Sequence, residues 1–172
     1  NLPSRAREHF FALQEARRDL VGVALFDRLD KPLQSGTALT EMMWRKREIE
    51  NYLCQKEVLL AYARHDQPDD LFGRAEAARR EQVMSECISE VEGALATLGQ
   101  PGPWSNDIKA SDDFLKPVFE RFFKKLGLPN LFRKTDYHLL ANLVPKDKLD
   151  PEVSEKLDVI LTVAERARGT DD

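Results

Sequence analysis

Glu48 and Glu50 stand at alternate positions in the segment Met42 to Cys54 (MMWRKREIENYLC), flanked by bulky residues. In an extended backbone successive side chains point to opposite faces, so this spacing places both carboxylates on one face and Ile49 on the other. Paired carboxylates form an oxygen-ligand platform for a hard divalent cation. Upstream, the apolar run Leu20 to Phe26 (LVGVALF) ends in Asp27 and Asp30. That puts acids at the carboxyl end of an expected buried strand, where open α/β sheets keep their ligands. The expectation is that Asp27, Asp30, Glu48 and Glu50 converge on one pocket and hold Mg2+ or Mn2+. With so few protein ligands such an ion keeps several waters and takes further contacts from substrate phosphate. Each acid also has a structural alternative. Asp is common after a strand simply for backbone hydrogen bonding, and Glu48 and Glu50 have Arg45, Arg47 and Arg28 in reach for an ion-pair network. Lys134, a compact point charge, is assigned to stabilising negative charge on a phosphate, against the alternative of a surface lysine ahead of a helix.

The elements that must position these residues follow from periodicity. Ser4 to Arg18 carries Ala6, Phe10 and Leu13 at helical spacing and feeds the strand at Leu20 to Phe26, half of an α/β unit. Asp27 to Thr40, with Pro32, Ser35 and Gly36, reads as a loop, and Met42 to Tyr52 as extended. Lys56 to Arg64 is a short helix, and HDQPDD at 65–70 is a break. The longest helix is expected over Phe72 to Leu98, where Met84, Cys87, Ile88, Val91, Leu95 and Leu98 form a core-facing stripe. GQPGPWSN at 99–106 stops it, and Trp104 there has apolar area to bury. Asp112 to Leu126 is an aromatic-faced helix with Ser111 as its N-cap and Pro117 as a potential kink. Thr135 to Leu143 is a short helix capped by Thr135. Asp150 and Pro151 open the last helix, whose Val153, Leu157, Ile160, Leu161 and Ala164 face the core.

Two segments together resemble a known group of proteins. Asp27-Arg28-Leu29-Asp30 after an apolar strand, and Trp44 with Arg47-Glu48-Ile49-Glu50-Asn51-Tyr52-Leu53, look like the C-terminal region of AAA/ABC-type ATPases that carry a Toprim-like half, related to the OLD-family nucleases. A weaker match runs through KASDDFL at 109–115 and KTDYHLL at 134–140. The resemblance implies divalent metal held by an acidic pair and a separate glutamate for cleaving or joining nucleic-acid backbones. In this chain the second acid falls at Asp30 and not at position 29, which is Leu29, and no earlier matching glutamate precedes Asp27. The resemblance therefore implies a nuclease-like, metal-dependent accessory half of an ATP-driven DNA-processing or phage-defence ATPase, with Glu48, Glu50 and Lys134 in catalysis. The alternative is a non-catalytic Toprim-like module that docks on the ATPase core or a partner protein. The ATPase domain of the same parent chain, DNA and a second copy of the chain are the partners to look for.

The chain has 172 residues, of which 42% are hydrophobic and 33% charged, enough for a substantial core in a soluble protein. It begins with Asn1 close to a helix, and the expectation is a fragment of a longer parent. A net charge of −4 argues against a surface that coats nucleic acid throughout. Basic clusters survive locally, at Arg45 to Arg47 and across Arg121, Lys124, Lys125, Arg133 and Lys134. No apolar run approaches the roughly 20 residues that cross a bilayer, and no secretory leader is present, so a cytoplasmic protein is expected. Cys54 and Cys87 read as reduced core residues, and His9, His65 and His138 lack metal-ligand spacing. There is no Gly-rich loop ending in Gly-Lys-Ser/Thr, so ATP belongs to a part of the parent outside this chain. The expected fold is a predominantly helical α/β arrangement, with a small, mostly parallel sheet as an incomplete Toprim-like half and appended helices. The division expected is 1–98 for the partial core with its long helix and 99–172 for a helical subdomain.

Overall fold

A computed structural model describes residues 2–34 and 36–167, and Ser35 and the fraying expected at Thr170 to Asp172 lie outside the described residues. The fold is predominantly helical α/β with a two-stranded parallel sheet. The chain forms two compact units, Asn1–Arg45 with Asp150–Asp172, and Lys46–Leu149. This grouping differs from the division expected after Leu98, because the long helix packs on the helix that follows it and the last helix belongs with the strands.

In the first unit, helix α1 (Leu2–Ala16) precedes strand β1 (Gly22–Phe26), which pairs in parallel with β2 (Leu39–Met43) from Gly22↔Leu39 to Phe26↔Met43. The ladder continues at both ends, with Gly22 N donating to Ala38 O at 2.9 Å and Trp44 N to Phe26 O at 3.0 Å. Among the described residues of 27–38 no helix makes the crossover, and the second strand begins earlier than expected. β1 is half-buried along its whole length and not fully buried, since it has one strand partner among the described residues. A Cβ at Gly22 would lie 2.9 Å from the Phe10 ring, so glycine there lets α1 close on the strand. Arg7 on α1 forks onto Glu41 of β2, Nε to Oε1 and Nη2 to Oε2 at 2.8 Å, and Gln34 N adds a third donor to Oε2 at 3.1 Å.

The last helix of this unit (Pro151–Arg166, α5 below) starts as its sequence predicts, with Asp150 Oδ1 accepting from Glu152 N at 3.0 Å and proline in the first turn. Its buried face is the expected one only in part, with Val153 and Ile160 half-buried. Leu157 and Leu161 are 53% and 60% exposed and Ala164 is exposed, whereas Glu152 and Val163 are buried. Glu152 accepts from Arg45 N at 2.9 Å, with Lys156 Nζ 3.6 Å away, and this polar anchor at the end of β2 sets the rotation of the helix.

The second unit holds the larger apolar core. Helices α2 (Lys56–Arg64) and α3 (Leu71–Thr97) pack together, and α4 (Lys116–Leu126) packs on α3. Val58, Leu59, Met84, Ile88, Phe114 and Phe119 are at its centre. Asp70 caps α3 by accepting from Gly73 N at 2.7 Å. The expected stripe is buried from Met84 to Leu95, but Leu98 is 72% exposed because it lies past the last turn. Pro117 falls in the first turn of α4, directly after a π-helical turn (Ala110–Leu115) in which the bonds widen to i→i−5, Lys116 N donating to Ser111 O. Gly127 closes α4 at φ 69°, the left-handed conformation that glycine adopts without strain. Trp104 is only half-covered, with an edge against Phe114, while Cys54 and Cys87 are buried free thiols as expected. Burial pushes the Cys54 thiol up to about 12, so it stays protonated. No helix among the described residues is long and apolar enough to cross a membrane.

The Arg7 guanidinium holds the Glu41 carboxyl below the usual carboxylate range, against the opposing effect of burial. A carboxyl whose pKa falls on folding adds stability above its unfolded value and loses it as pH drops through the folded one. The side chain of Glu41 is 2% exposed, so Glu41→Gln should lower the unfolding free energy at neutral pH by about 1–3 kcal/mol. Urea titrations should also show a flatter acid limb below about pH 4.3 in the variant. Identical acid limbs in the two proteins would remove this pair from the pH dependence.

Candidate functional site

Glu48 and Glu50 do not lie on a strand. β2 ends at Met43, and Glu48 is the extended N-cap residue (φ −137°, ψ 160°) of a 3-10 turn, Ile49–Tyr52. With three residues per turn, positions i and i+3 eclipse, so Glu48 aligns with Asn51 and not with Glu50. The pairing is direct: Glu48 N donates to Asn51 Oδ1 at 2.9 Å. Burial follows the same geometry, with Glu48 7% exposed, Glu50 half-buried and Ile49 facing solvent. The expected shared carboxylate face is therefore replaced by a buried Glu48 and a half-buried Glu50 at different positions of the turn.

The inward carboxylate has a definite task. Glu48 Oε2 accepts from Ser111 N at 3.0 Å and from Ser111 Oγ at 2.8 Å. Ser111 is fully buried in the π-helical turn, where the first N–H groups have no partner inside the helix. Lys134, the residue after the cap of the 3-10 segment Lys134–Leu143, donates Nζ to Ser111 Oγ at 2.7 Å. A continuous polar line thus runs Glu48, Ser111, Lys134. Asp112 beside it is ion-paired with Lys109 and lies 3.9 Å from Lys134 Nζ. That Lys109 hydrogen bond, with Lys134 adding to it, keeps the Asp112 carboxyl below its ordinary range. Asn51 extends the staple by donating Nδ2 to Ser105 O and Ile108 O, both at 3.1 Å. Arg47 N donates to Asn106 O at 2.8 Å and Arg47 Nη1 to Asp107 O at 3.1 Å.

Lys134 stands at a cavity of about 350 Å³. Ser111, Phe119, Phe132 and Tyr137 line it from buried positions, and Lys116, Glu120 and Arg133 from exposed ones. Burial raises the Tyr137 phenol to about 12, so it is a neutral O–H at physiological pH. Ser111 entered the sequence reading only as a helix cap, while Lys116, Arg133 and Tyr137 were not singled out for this site. The available signal was their position in or beside KASDDFL and KTDYHLL, the two segments that meet here. Thr135, expected to cap the helix at 135–143, is inside it, and Arg133 is the cap residue.

Asp27 and Asp30 are exposed, directly past the carboxyl end of β1, and belong to the first unit, whereas Glu48, Glu50 and Lys134 belong to the second. Among the described residues, no three His, Cys, Asp or Glu side chains gather as a metal centre requires. The donor set at Glu48 does not fit a metal ligand: the carboxylate is buried and one oxygen already takes two donors from Ser111. The predicted ion-pair alternative is not what holds Glu48 in place either, since Arg45 reaches Glu155 at 2.6 Å and Arg47 a backbone carbonyl. No family model, curated protein or solved structure matches the chain.

Removing one end of a buried hydrogen bond leaves the other unsatisfied, at a cost of about 1–3 kcal/mol. Glu48→Gln and Ser111→Ala should each destabilise the protein by that amount, and the double variant by less than the sum, with a coupling of about 0.5–3 kcal/mol. Denaturant unfolding of the four proteins measures it, and strict additivity would mean that the bridge contributes nothing.

Proposed function

We propose that this chain is the Toprim-like accessory half of an ATP-driven DNA-processing or phage-defence protein, and that its second unit engages the phosphate backbone of DNA at the cavity beside Lys134. The observation that carries this reading is the polar line from Glu48 through Ser111 to Lys134. It joins the three segments of the second unit on which the family resemblance rests, and it ends on a lysine at a cavity rim. An ammonium carries three donors, and the bond to Ser111 fixes the group while leaving it capacity for a phosphate oxygen. Lys116 and Arg133 line the same cavity and add the charge that phosphate neutralisation needs. Glu48 then serves as the anchor of the lysine platform. ATP and the ATPase domain belong to the rest of the parent, which this unit serves as a docking and DNA-handling half.

Metal-dependent cleavage is the second reading. It is favoured by the placement of Asp27 and Asp30, both exposed just beyond the carboxyl end of a strand in a parallel pair. Any Mg2+ or Mn2+ held there would act as a Lewis acid toward phosphate.

Binding to a fluorescent duplex across a salt series tests the first reading. Lys134→Ala should weaken binding evenly across sequences and reduce the salt slope by about 1. An unchanged slope would reject the lysine platform. Plasmid nicking in Mg2+ or Mn2+, lost on Asp27→Asn and Glu50→Ala, would establish the second reading, and nicking untouched by either substitution would exclude those acids.

A further inference from the structure

The cavity beside Lys134 is built in two layers, and the layering points to a ligand class. Phe119, Phe132 and Tyr137 are almost fully buried and make an aromatic floor, with ring centroids 4.4 Å apart for Phe119 and Phe132 and 5.6 Å for Phe132 and Tyr137. Lys116, Arg133 and the half-exposed Lys134 make a cationic rim. A floor of buried residues closes the cavity from below, so a ligand enters and leaves by the rim. Its volume of about 350 Å³ is at the small end of the roughly 300–1,000 Å³ typical of small-molecule sites. That is room for a single nucleotide, and a strand passing through would need a second exit.

We infer that this cavity takes one nucleoside monophosphate unit, free or as the phosphorylated end of a strand, with the base on the aromatic floor and the phosphate on the rim formed by Lys116, Arg133 and Lys134. The inference rests on the phosphate reading of the same cavity and narrows it from backbone to terminal phosphate. Charge favours the narrower form. A phosphomonoester carries about −1.5 to −2 at pH 7, against a single charge for an internal diester. The rim supplies Lys116, Arg133 and Lys134 against Glu120 and Asp112, and Asp112 is already matched by Lys109. The floor is apolar apart from the Tyr137 O–H, so contact of a base with it carries no sequence preference.

Calorimetric titration of the chain with dTMP, thymidine and inorganic phosphate separates the contributions. dTMP should bind at least about tenfold tighter than thymidine or phosphate alone, and Arg133→Ala and Lys116→Ala should each weaken it by roughly tenfold, the range of a charge-assisted phosphate contact. Both substituted residues are exposed, and circular dichroism melts of the variants should overlay the parent curve. Equal affinity for dTMP and thymidine, or variants that bind dTMP like the parent, would overturn the inference. A matched set of single-stranded oligonucleotides bearing a 5′-phosphate, a 3′-phosphate or only hydroxyl ends identifies the source. Preference for a phosphorylated end supports strand-end recognition, and dTMP binding with no end preference supports a free nucleotide. Lys134-dependent DNA binding without dTMP binding or end preference would sink this inference and leave the backbone reading standing. Absence of both DNA and dTMP binding would sink the two together.

Discussion

The buried carboxylate of Glu48 is the constraint around which the second unit is arranged. A carboxyl group at 7% exposure must be matched by hydrogen-bond partners or its desolvation outweighs the packing around it. The donors come from Ser111, whose backbone N–H would otherwise be an orphan of the π-helical turn and whose hydroxyl completes the match. This one requirement ties the 3-10 turn at 49–52 to the start of the α4 segment. Through the same hydroxyl it then fixes Lys134, so the position of a cavity-rim cation is determined by a buried carboxylate.

The first unit solves the same problem twice with different donors. Glu41 faces α1 from the middle of β2 and is matched by a bidentate guanidinium, the geometry in which arginine is strongest. Glu152 faces the end of the ladder and accepts from Arg45 N, a backbone donor just beyond the last strand pair. In each case the glutamate joins elements distant in sequence, and in each case breaking one partner leaves a buried charge or an orphan donor. Apolar burial alone would hold these elements together loosely, since leucine tolerates sliding that a two-point hydrogen bond does not.

Helical periodicity made most of the second unit legible in advance. α2 was readable to its ends, α3 to within a residue of each end, and Asp150 with Pro151 marked the start of α5, because amphipathic stripes and caps are local signals. The parallel pairing was legible through the apolar run of β1, although β2 was not, as LTEMM carries a buried ion pair at its centre that interrupts alternation. The misread face of α5 has the same origin: Leu157 and Leu161 look like core residues until Glu152 is seen to fix the rotation. Glu-x-Glu between bulky residues reads as a strand by period two. What decides otherwise is Asn51, which accepts from Glu48 N, and Ser111, distant in sequence and invisible to any local window.

The same distance dependence limits what the spacing of the acids alone could reveal. Carboxylates at alternate positions suggest metal binding only while their environment is unknown, and burial against hydrogen-bond donors converts the inner one into an anchor. A metal prefers a ligand whose lone pairs are open and whose partner carboxylates point the same way, and in the 3-10 turn Glu48 is eclipsed by Asn51 and not by Glu50. The cation, by contrast, gains from the same arrangement. Lys134 is held by the Ser111 hydroxyl, with Glu48 behind it and Asp112 3.9 Å to the side. A lysine oriented through an intervening serine is placed by a hydrogen-bond relay from a buried carboxylate and not by a single ion pair, so its position follows from the packing of three distant segments.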